Sequence, residues 1–392
     1  MKKTDYYNTD TTASGAVVFN FKRNSNFIIG SVFLLIVFGL ISLYSASYYY
    51  AMEDGLPSYS YLFKQLIRVI CGLCIGSAVL VASRKLLEIL CPVLTLAGVV
   101  VFVVGGFSKL NINIDETAVN IIFLIHTMYL ALFFANREGG IKKLRELTLP
   151  IIFSLLFFLL IIINGHFSLG FVFIVLTVIM FACGSVGFAG VVLLLFYIAV
   201  PLVVWILSNP TMLKRIINIF IPNYYPSVSA EIVSETKAAV ISGSLFGKGL
   251  GNGSYKYGAV PGIFRENIFC NVAEEFGFAG VFVVCILFGV LLYCSFRSAN
   301  HLREKDRFYS NFSCGLAFVI FSSFVLNIVS VLGILPVSGI SMPFFSYSNV
   351  IVVTITIGAL LYKMSKDNDV DFEVENEREY NSDSDFEVKY ES

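Results

Sequence analysis

Long apolar runs separated by short polar stretches occupy most of the chain. Ten of these runs are each close to the ~20 residues that an α-helix needs to cross the hydrocarbon core of a bilayer. They predict helices at about 27–47, 64–83, 87–107, 118–136, 148–164, 167–184, 187–207, 276–297, 309–333 and 346–364. The pattern therefore predicts an all-α polytopic membrane protein with about ten transmembrane spans.

The composition points to the same environment. Of the 392 residues, 57% are hydrophobic and 14% are charged, whereas roughly a quarter are charged in soluble domains. The 38 Phe and 20 Tyr residues fit as well, because lipid tolerates bulky apolar side chains and membrane interfaces are enriched in aromatic rings. The composition thereby excludes an ordinary soluble protein.

Basic residues are concentrated at alternate ends of the predicted spans. They lie before the first span and after the second, fourth, eighth and tenth, at 22–23, 84–85, 137–145, 297–307 and 363–366. Short loops rich in Lys and Arg stay in the cytoplasm, so both termini are predicted to be cytoplasmic. The long loop 208–275, between the seventh and eighth spans, is then extracytoplasmic.

The charge distribution also divides the chain into three parts. Residues 1–26 form a cytoplasmic lead, and residues 27–366 form the membrane domain. The remaining part, 367–392, holds eleven acidic and two basic residues. Such a segment cannot bury enough apolar surface to fold alone, so we predict a disordered, acidic cytoplasmic tail.

The predicted outer loop contains a glycine-rich stretch, "SGSLFGKGLGNGSYKYG", at 242–258. Its glycines allow tight turns with exposed backbone N–H groups, among which lie Lys248 and Lys256. This combination suits an anion such as a diphosphate. An ordinary surface loop is the alternative, because the stretch lacks the spacing of a P-loop.

Four charged residues stand at the edge of the eighth apolar run, in "FRENIFCNVAEEFGF" at 264–278. They are Arg265, Glu266, Glu274 and Glu275. Charges at a membrane boundary cost free energy unless they meet water, a partner or a substrate. On one continuous helix, Glu266 and Glu274 would lie on the same side. The structural alternatives are an ion pair between Glu266 and a neighbouring base, and capping of the next helix by the paired glutamates.

Three stretches carry a family resemblance. "SGSLFGKGLGNGS", "FRENIFCNVAEEFGF" and "NIVSVLGILPVSGISMPFFSYSN" resemble, in this order, signatures of the SEDS family (shape, elongation, division and sporulation), and "LYSASYYYA" at 43–51 leans to its FtsW side. The resemblance implies a membrane glycosyltransferase that polymerises lipid II into peptidoglycan strands in cell division or cell-shape maintenance. It also implies the bacterial cytoplasmic (inner) membrane, a class B penicillin-binding transpeptidase as partner, and other divisome or elongasome proteins.

The resemblance further implies the site residues. Glu266 stands where the family has an aspartate and is the predicted catalytic residue, with a carboxylate one methylene further out. The predicted substrate-binding residues are Lys248, Arg265, Glu274, Glu275, Glu116, Ser338 and Ser346. Glu116 is what remains of the family's "QPSE" in "NIDE". The two serines belong to the last signature, where Pro336 and Pro343 interrupt a helix.

No group of residues has the spacing of a metal cage. The chemistry of a diphosphate nonetheless favours a divalent cation, so the predicted cofactor is Mg or Mn bound together with the substrate and not in a protein cage. Two other functions stay open. The altered family motifs are compatible with a catalytically inactive scaffold that recruits the transpeptidase. A lipid II flippase is disfavoured, because the predicted helix interiors carry almost no charge and transporters keep ionisable residues or broken helices near the midplane.

Overall fold

The computed structural model of the protein describes residues 24–107, 115–137, 144–184, 186–208, 228–334 and 340–366, together with positions 213 and 217. Within these residues the chain is helical and contains no strand. The lead before Asn24, the acidic tail and most of 209–227, which begins the predicted outer loop, lie outside the described residues. The predictions made for those segments stay predictions.

The described residues contain eleven α-helices with defined bounds. They are α1 (Asn24–Glu53), α2 (Ser60–Val81), α3 (Arg84–Phe107), α4 (Glu116–Ala135), α5 (Thr148–Ile163), α6 (Phe167–Cys183), α7 (Phe188–Ser208), α8 (Val228–Ser242), α9 (Ile268–Lys305), α10 (Arg307–Val331) and α11 (350–366). A 3-10 turn, Leu144–Leu147, leads into α5. Each of the ten predicted spans coincides with one of these helices, and only α8 was not predicted.

Six of the described helices, α1, α2, α4, α5, α9 and α10, are long and apolar enough to cross a membrane. Their outward faces carry large exposed apolar side chains such as Phe33, Phe63 and Phe282. Such a surface fits lipid, and an α-helix satisfies its backbone polar groups internally, as a bilayer requires. The prediction of an all-α, multi-pass membrane protein is confirmed, and the number of ten spans stays a prediction.

The centre of the bundle is built on α9 and α10, which pack against each other. Phe288 of α9 stacks on Phe324 of α10 with ring centroids 4.0 Å apart. On the two sides of this pair, α1 packs against α9, and α4 packs against α10. This arrangement brings residues that are far apart in sequence to the same end of the bundle.

The two ends of the bundle are formed by different groups. At one end, Arg84 forms an ion pair with Asp306 at 2.5 Å, and the Lys363 ammonium donates to the carbonyls of Val79 and Ala82. We call this the inner end, following the predicted sidedness. The opposite, outer end gathers the starts of α2, α4, α9 and α11, and there the Tyr50 hydroxyl donates to the Val260 carbonyl at 2.8 Å.

α9 is broken at Gly277, which has φ 64° and ψ −165°. The glycine-rich loop crosses this break and pairs with the main-chain groups that the break exposes. Its four backbone hydrogen bonds, each 3.0 Å, run from Lys248 and Gly249 N–H to the carbonyls of Glu274 and Glu275, and from Phe278 and Ala279 N–H to the carbonyls of Ser244 and Leu245. Gly247 lies so close that a Cβ there would overlap the Glu275 carbonyl. The glycines therefore let the loop seal a helix end that would otherwise leave polar groups unsatisfied.

Candidate active site

Glu266 lies in the turn 264–267 that precedes α9, at the outer end of the bundle. Its side chain and that of Arg265 are both exposed. Among the described residues no ion pair within 4 Å involves the Glu266 carboxylate, so the predicted alternative of a structural pair with Arg265 is not seen. An exposed carboxylate without a fixed partner is available to a substrate.

The main chain of Glu266 is held in place from the neighbouring helix. Asn327 of α10 is fully buried, and its Nδ2 donates to the carbonyls of Glu266 and Ile340, each at 2.7 Å. This amide therefore ties the turn before α9 to the non-helical segment 340–349, which we call the α10–α11 segment. A polar side chain inside a membrane helix needs a partner in the bundle, and two backbone carbonyls supply it here.

Glu116 places a second carboxylate beside the first. It begins α4 directly after Asp115, whose side chain caps the helix by accepting from Ala118 N–H at 3.0 Å. The Glu116 carboxylate accepts a hydrogen bond from Ser341 N–H at 2.7 Å and another from the Ser341 hydroxyl. Glu116 and Glu266 are close enough for their charges to interact. The structure thus brings together two of the predicted site residues, one held by hydrogen bonds and one exposed.

The remaining predicted charges form a separate group. Lys248 pairs with Glu274 at 2.6 Å, and Lys256 pairs with Glu275 at 2.8 Å. We call these four residues the loop clamp. Ser254 N–H and Oγ also donate to Glu274, at 2.7 and 2.9 Å.

The loop clamp corrects two expectations drawn from the sequence. Lys256 is only 2% exposed, and both glutamates are buried, so Lys256 is not the exposed cation among backbone N–H groups that the glycine-rich stretch suggested. Glu266 and Glu274 do not share a helix, because α9 begins only at Ile268. Oppositely charged partners compensate the desolvation of these groups, and the glutamates hold the loop instead of capping the next helix. Substrate binding by the clamp residues stays a prediction.

Ser346, one of the two predicted serines, is buried and takes part in the fold of the α10–α11 segment. Ser346 is 3% exposed, and its hydroxyl accepts from Met342 N–H at 2.7 Å, which stabilises the α10–α11 segment. Ser338 lies outside the described residues. Ser341 of the same segment donates its hydroxyl to the Glu116 carboxylate.

Sequence analysis missed Arg68 of α2. One guanidinium nitrogen donates to Gln65 Oε1 at 2.9 Å, and another donates to the Tyr347 hydroxyl at 3.3 Å. The guanidinium lies 4.3 Å from the centre of the Tyr347 ring. A signal was present: Lys64 and Gln65 precede Arg68 by four and three positions, which places all three on one side of an otherwise apolar span. An ionisable residue in such a span is a functional candidate.

The described residues contain no group of three or more His, Cys, Asp or Glu side chains that could hold a metal ion. The carboxylates present at the site are Glu116 and Glu266, and two carboxylates leave most positions around a hard divalent cation to other oxygen ligands. These residues therefore fit a cation only when a substrate supplies further oxygens. The predicted divalent cation stays a prediction.

Comparison with known proteins extends these observations. The chain is 27% identical over 348 residues to the probable peptidoglycan glycosyltransferase FtsW of Borreliella burgdorferi, an alignment that covers 85% of this chain and 94% of that protein. It is 28% identical over 345 residues to stage V sporulation protein E of Bacillus subtilis, covering 84% and 93%.

Solved structures show the same fold. A chain of a peptidoglycan synthase complex, described as coordinating polymerization and crosslinking, superposes with a TM-score of 0.69 at 21% identity, over 87% of this chain and 97% of that chain. The rod shape determining protein RodA of Thermus thermophilus superposes with a TM-score of 0.61 at 20% identity, over 87% and 96%.

A family model described as "cell cycle protein", and built on FtsW, RodA and SpoVE, matches residues 25–369. This match takes in α1 to α11 and both carboxylates of the candidate site. The protein belongs to the FtsW/RodA/SpoVE family, the SEDS family that its motifs resemble.

Proposed function

We propose that the protein is a peptidoglycan glycosyltransferase that polymerises lipid II at the outer face of the membrane. The observation that carries this proposal is the pair of carboxylates at the outer end of the bundle. Glu266 is exposed and has no ion-pair partner among the described residues, while Glu116 is held by Ser341. Glycosyl transfer needs such a free base beside a fixed polar environment. Family membership and relatives named as glycosyltransferases support the same function.

In the proposed reaction Glu266 acts as the general base. Its carboxylate accepts the proton of the acceptor sugar's 4-hydroxyl while that oxygen attacks the anomeric carbon of the donor. The bond from this carbon to the lipid diphosphate breaks, and the diphosphate leaves with the bonding electrons. Arg265, exposed next to Glu266, provides positive charge near the leaving group. A divalent cation, Mg or Mn, bound with the diphosphate would neutralise further negative charge.

The proposal extends to location and partners. A polymerase of lipid II belongs in the bacterial cytoplasmic membrane, with the outer end of the bundle facing the cell wall. A class B penicillin-binding transpeptidase is the proposed partner, because the peptidoglycan synthase complex with the same fold is described as coordinating polymerization with crosslinking. Other divisome or elongasome proteins would bring this pair to sites of division or growth.

One observation favours a second candidate, an inactive scaffold. The residue at the catalytic position is Glu266, where the family resemblance leads us to expect an aspartate. A displacement of a catalytic group by about 1 Å can cost on the order of a hundredfold in rate. The fixed main chain of Glu266 means that its side-chain conformation alone must absorb the extra methylene.

Polymerisation by the purified protein separates the two candidates. The full chain is reconstituted in lipid vesicles with lipid II and Mg²⁺, with and without the transpeptidase, and glycan strands are resolved on a gel. We expect strands from the wild type, their loss on chelation with EDTA and their recovery with Mg²⁺ or Mn²⁺. A double variant, Glu116→Gln/Glu266→Gln, controls for a contaminating polymerase and yields no strands. Absence of strands from the wild type in every condition would favour the scaffold.

A further inference from the structure

Arg68 is a cation placed within the membrane-spanning helix α2. It lies eight residues beyond Ser60, where α2 begins at the outer end, which corresponds to about 12 Å along the helix axis. Side chains of an α-helix lean toward its N-terminus, so the guanidinium of Arg68 reaches back toward the outer surface. Its position 4.3 Å from the centre of the Tyr347 ring agrees with this direction.

The charge of Arg68 has no carboxylate partner within the described residues. A guanidinium has five N–H donors, and the hydrogen bonds of Arg68 to Gln65 and Tyr347 engage only part of this set. The side chain is half-buried, and an ionisable group at this depth is costly unless it meets an opposite charge. Its geometry therefore favours an external anion that can accept two or more hydrogen bonds.

The surroundings orient Arg68 toward the candidate active site. Gln65, which accepts from Arg68, is 1% exposed and donates its own Nε2 to the Ser346 carbonyl at 3.0 Å. Tyr347 N–H in turn donates to the Phe264 carbonyl at 2.9 Å, immediately before Arg265 and Glu266. Arg68 is thus connected to the turn that carries the proposed base, and it lies on the membrane side of that turn.

We propose that Arg68 binds the phosphate group of a lipid in the outer leaflet. A guanidinium matches two phosphate oxygens with parallel hydrogen bonds, which a flexible ammonium does not reproduce. A diphosphate-linked carrier lipid and an ordinary anionic phospholipid both offer this chemistry. Resting on the proposed function, the assignment is to the carrier: its chain lies in the membrane beside α2, and its diphosphate is held between Arg68 and Arg265, next to the base at Glu266.

Lipid binding by the full-length protein tests this proposal. A long-chain polyprenyl diphosphate and, in a separate arm, phosphatidylglycerol are titrated against the purified protein in neutral detergent, and affinity is read from native mass spectra. Arg68→Gln is expected to weaken polyprenyl diphosphate binding about tenfold to a hundredfold, since hydrogen bonds to charged groups contribute about 1.5–3 kcal/mol. Arg68→Lys keeps the positive charge but lacks the paired N–H donors of the guanidinium, so it should weaken polyprenyl diphosphate binding by a smaller factor. This variant supplies the readout if Arg68→Gln does not fold.

Lys85→Gln is the matched control, because it removes one exposed positive charge near the inner end. The expected result is a loss confined to Arg68 variants and to polyprenyl diphosphate. Equal losses for both lipids would uphold the phosphate site and overturn the carrier assignment. Unchanged affinity for both lipids in Arg68→Gln would overturn the site itself. If the wild type binds phosphatidylglycerol through Arg68 but no polyprenyl diphosphate, the proposed function fails while the site stands.

Discussion

Glu266 has an exposed carboxylate on a fixed main chain. The Asn327 amide holds its carbonyl at 2.7 Å, so the position of the carboxylate depends on the side-chain conformation alone. Glu116 has the opposite character, because Ser341 donates to it from both its backbone N–H and its hydroxyl. One carboxylate is therefore free to exchange a proton with a substrate, while the other shapes the charge around it.

Glu116→Gln tests this division of roles. The variant replaces the carboxyl group near Glu266 with a neutral amide and weakens the hydrogen bonds from Ser341, so we expect polymerisation to slow by about tenfold to a hundredfold. Ser341→Ala removes only one of the two donors and should slow it by less than about tenfold. Initial rates of strand formation from lipid II are the measurement. Wild-type rates in Glu116→Gln would contradict the role of Glu116.

At the scale of elements, the break in α9 and the loop that seals it form one unit. The loop supplies backbone partners on both sides of Gly277, and the loop clamp adds two ion pairs. The two ion pairs differ in the other hydrogen bonds that their carboxylates accept. Glu274 also accepts from Ser254. Glu275 has Ser45 Oγ at 2.6 Å as its other donor, and its second carboxylate oxygen has no partner within the described part of the chain.

This difference predicts unequal effects of two matched substitutions. Lys256→Met leaves a buried carboxylate with little compensation and should lower the free energy of unfolding by about 3–5 kcal/mol. Lys248→Met removes a side chain that is 32% exposed and should cost about 1 kcal/mol or less. Denaturant unfolding of the purified protein in detergent measures both. Similar losses from the two variants would rule out the clamp as described.

A second variant separates the ion pair from side-chain volume. In Lys256→Met/Glu275→Leu the uncompensated charge is gone, so stability should recover by at least half of what Lys256→Met loses, because apolar replacement of a buried pair is often neutral. A double variant no more stable than Lys256→Met would show that the loss came from packing.

At the scale of the whole molecule, the hydrophobic pattern predicted the ten long helices because lipid imposes both their length and their composition. It could not predict α8, whose sequence "VSAEIVSETKAAVIS" lacks such an apolar run. The clamp was missed for a different reason. Charged residues are usually exposed, and the contact of Ser45 with Glu275 joins positions 230 residues apart, a pairing that no local pattern encodes. Glu116 and Glu266 were named from motifs, whereas their proximity required the fold.

The predicted sidedness can be checked on the intact chain. Green fluorescent protein fused after Ser392 should be fluorescent, because the C-terminus is predicted to be cytoplasmic. Alkaline phosphatase fused after Ser254, in the outer loop, should be active, while the same enzyme fused after Lys85 should be inactive. Phosphatase activity of the Lys85 fusion with none from the Ser254 fusion would mean that the protein has the opposite orientation in the membrane, with the carboxylate pair on the cytoplasmic side.

The central claim is that Glu266 is the base of a lipid II polymerase, and its most direct test is the initial polymerisation rate of the reconstituted protein with its transpeptidase. Glu266→Gln should lower this rate by a factor of about 10²–10⁴, the typical contribution of a general base. Glu266→Asp should retain part of it, and Glu53→Gln, an exposed control at the outer end of α1, should match the wild type. Full activity in Glu266→Gln, or activity that appears only in Glu266→Asp, would contradict the claim.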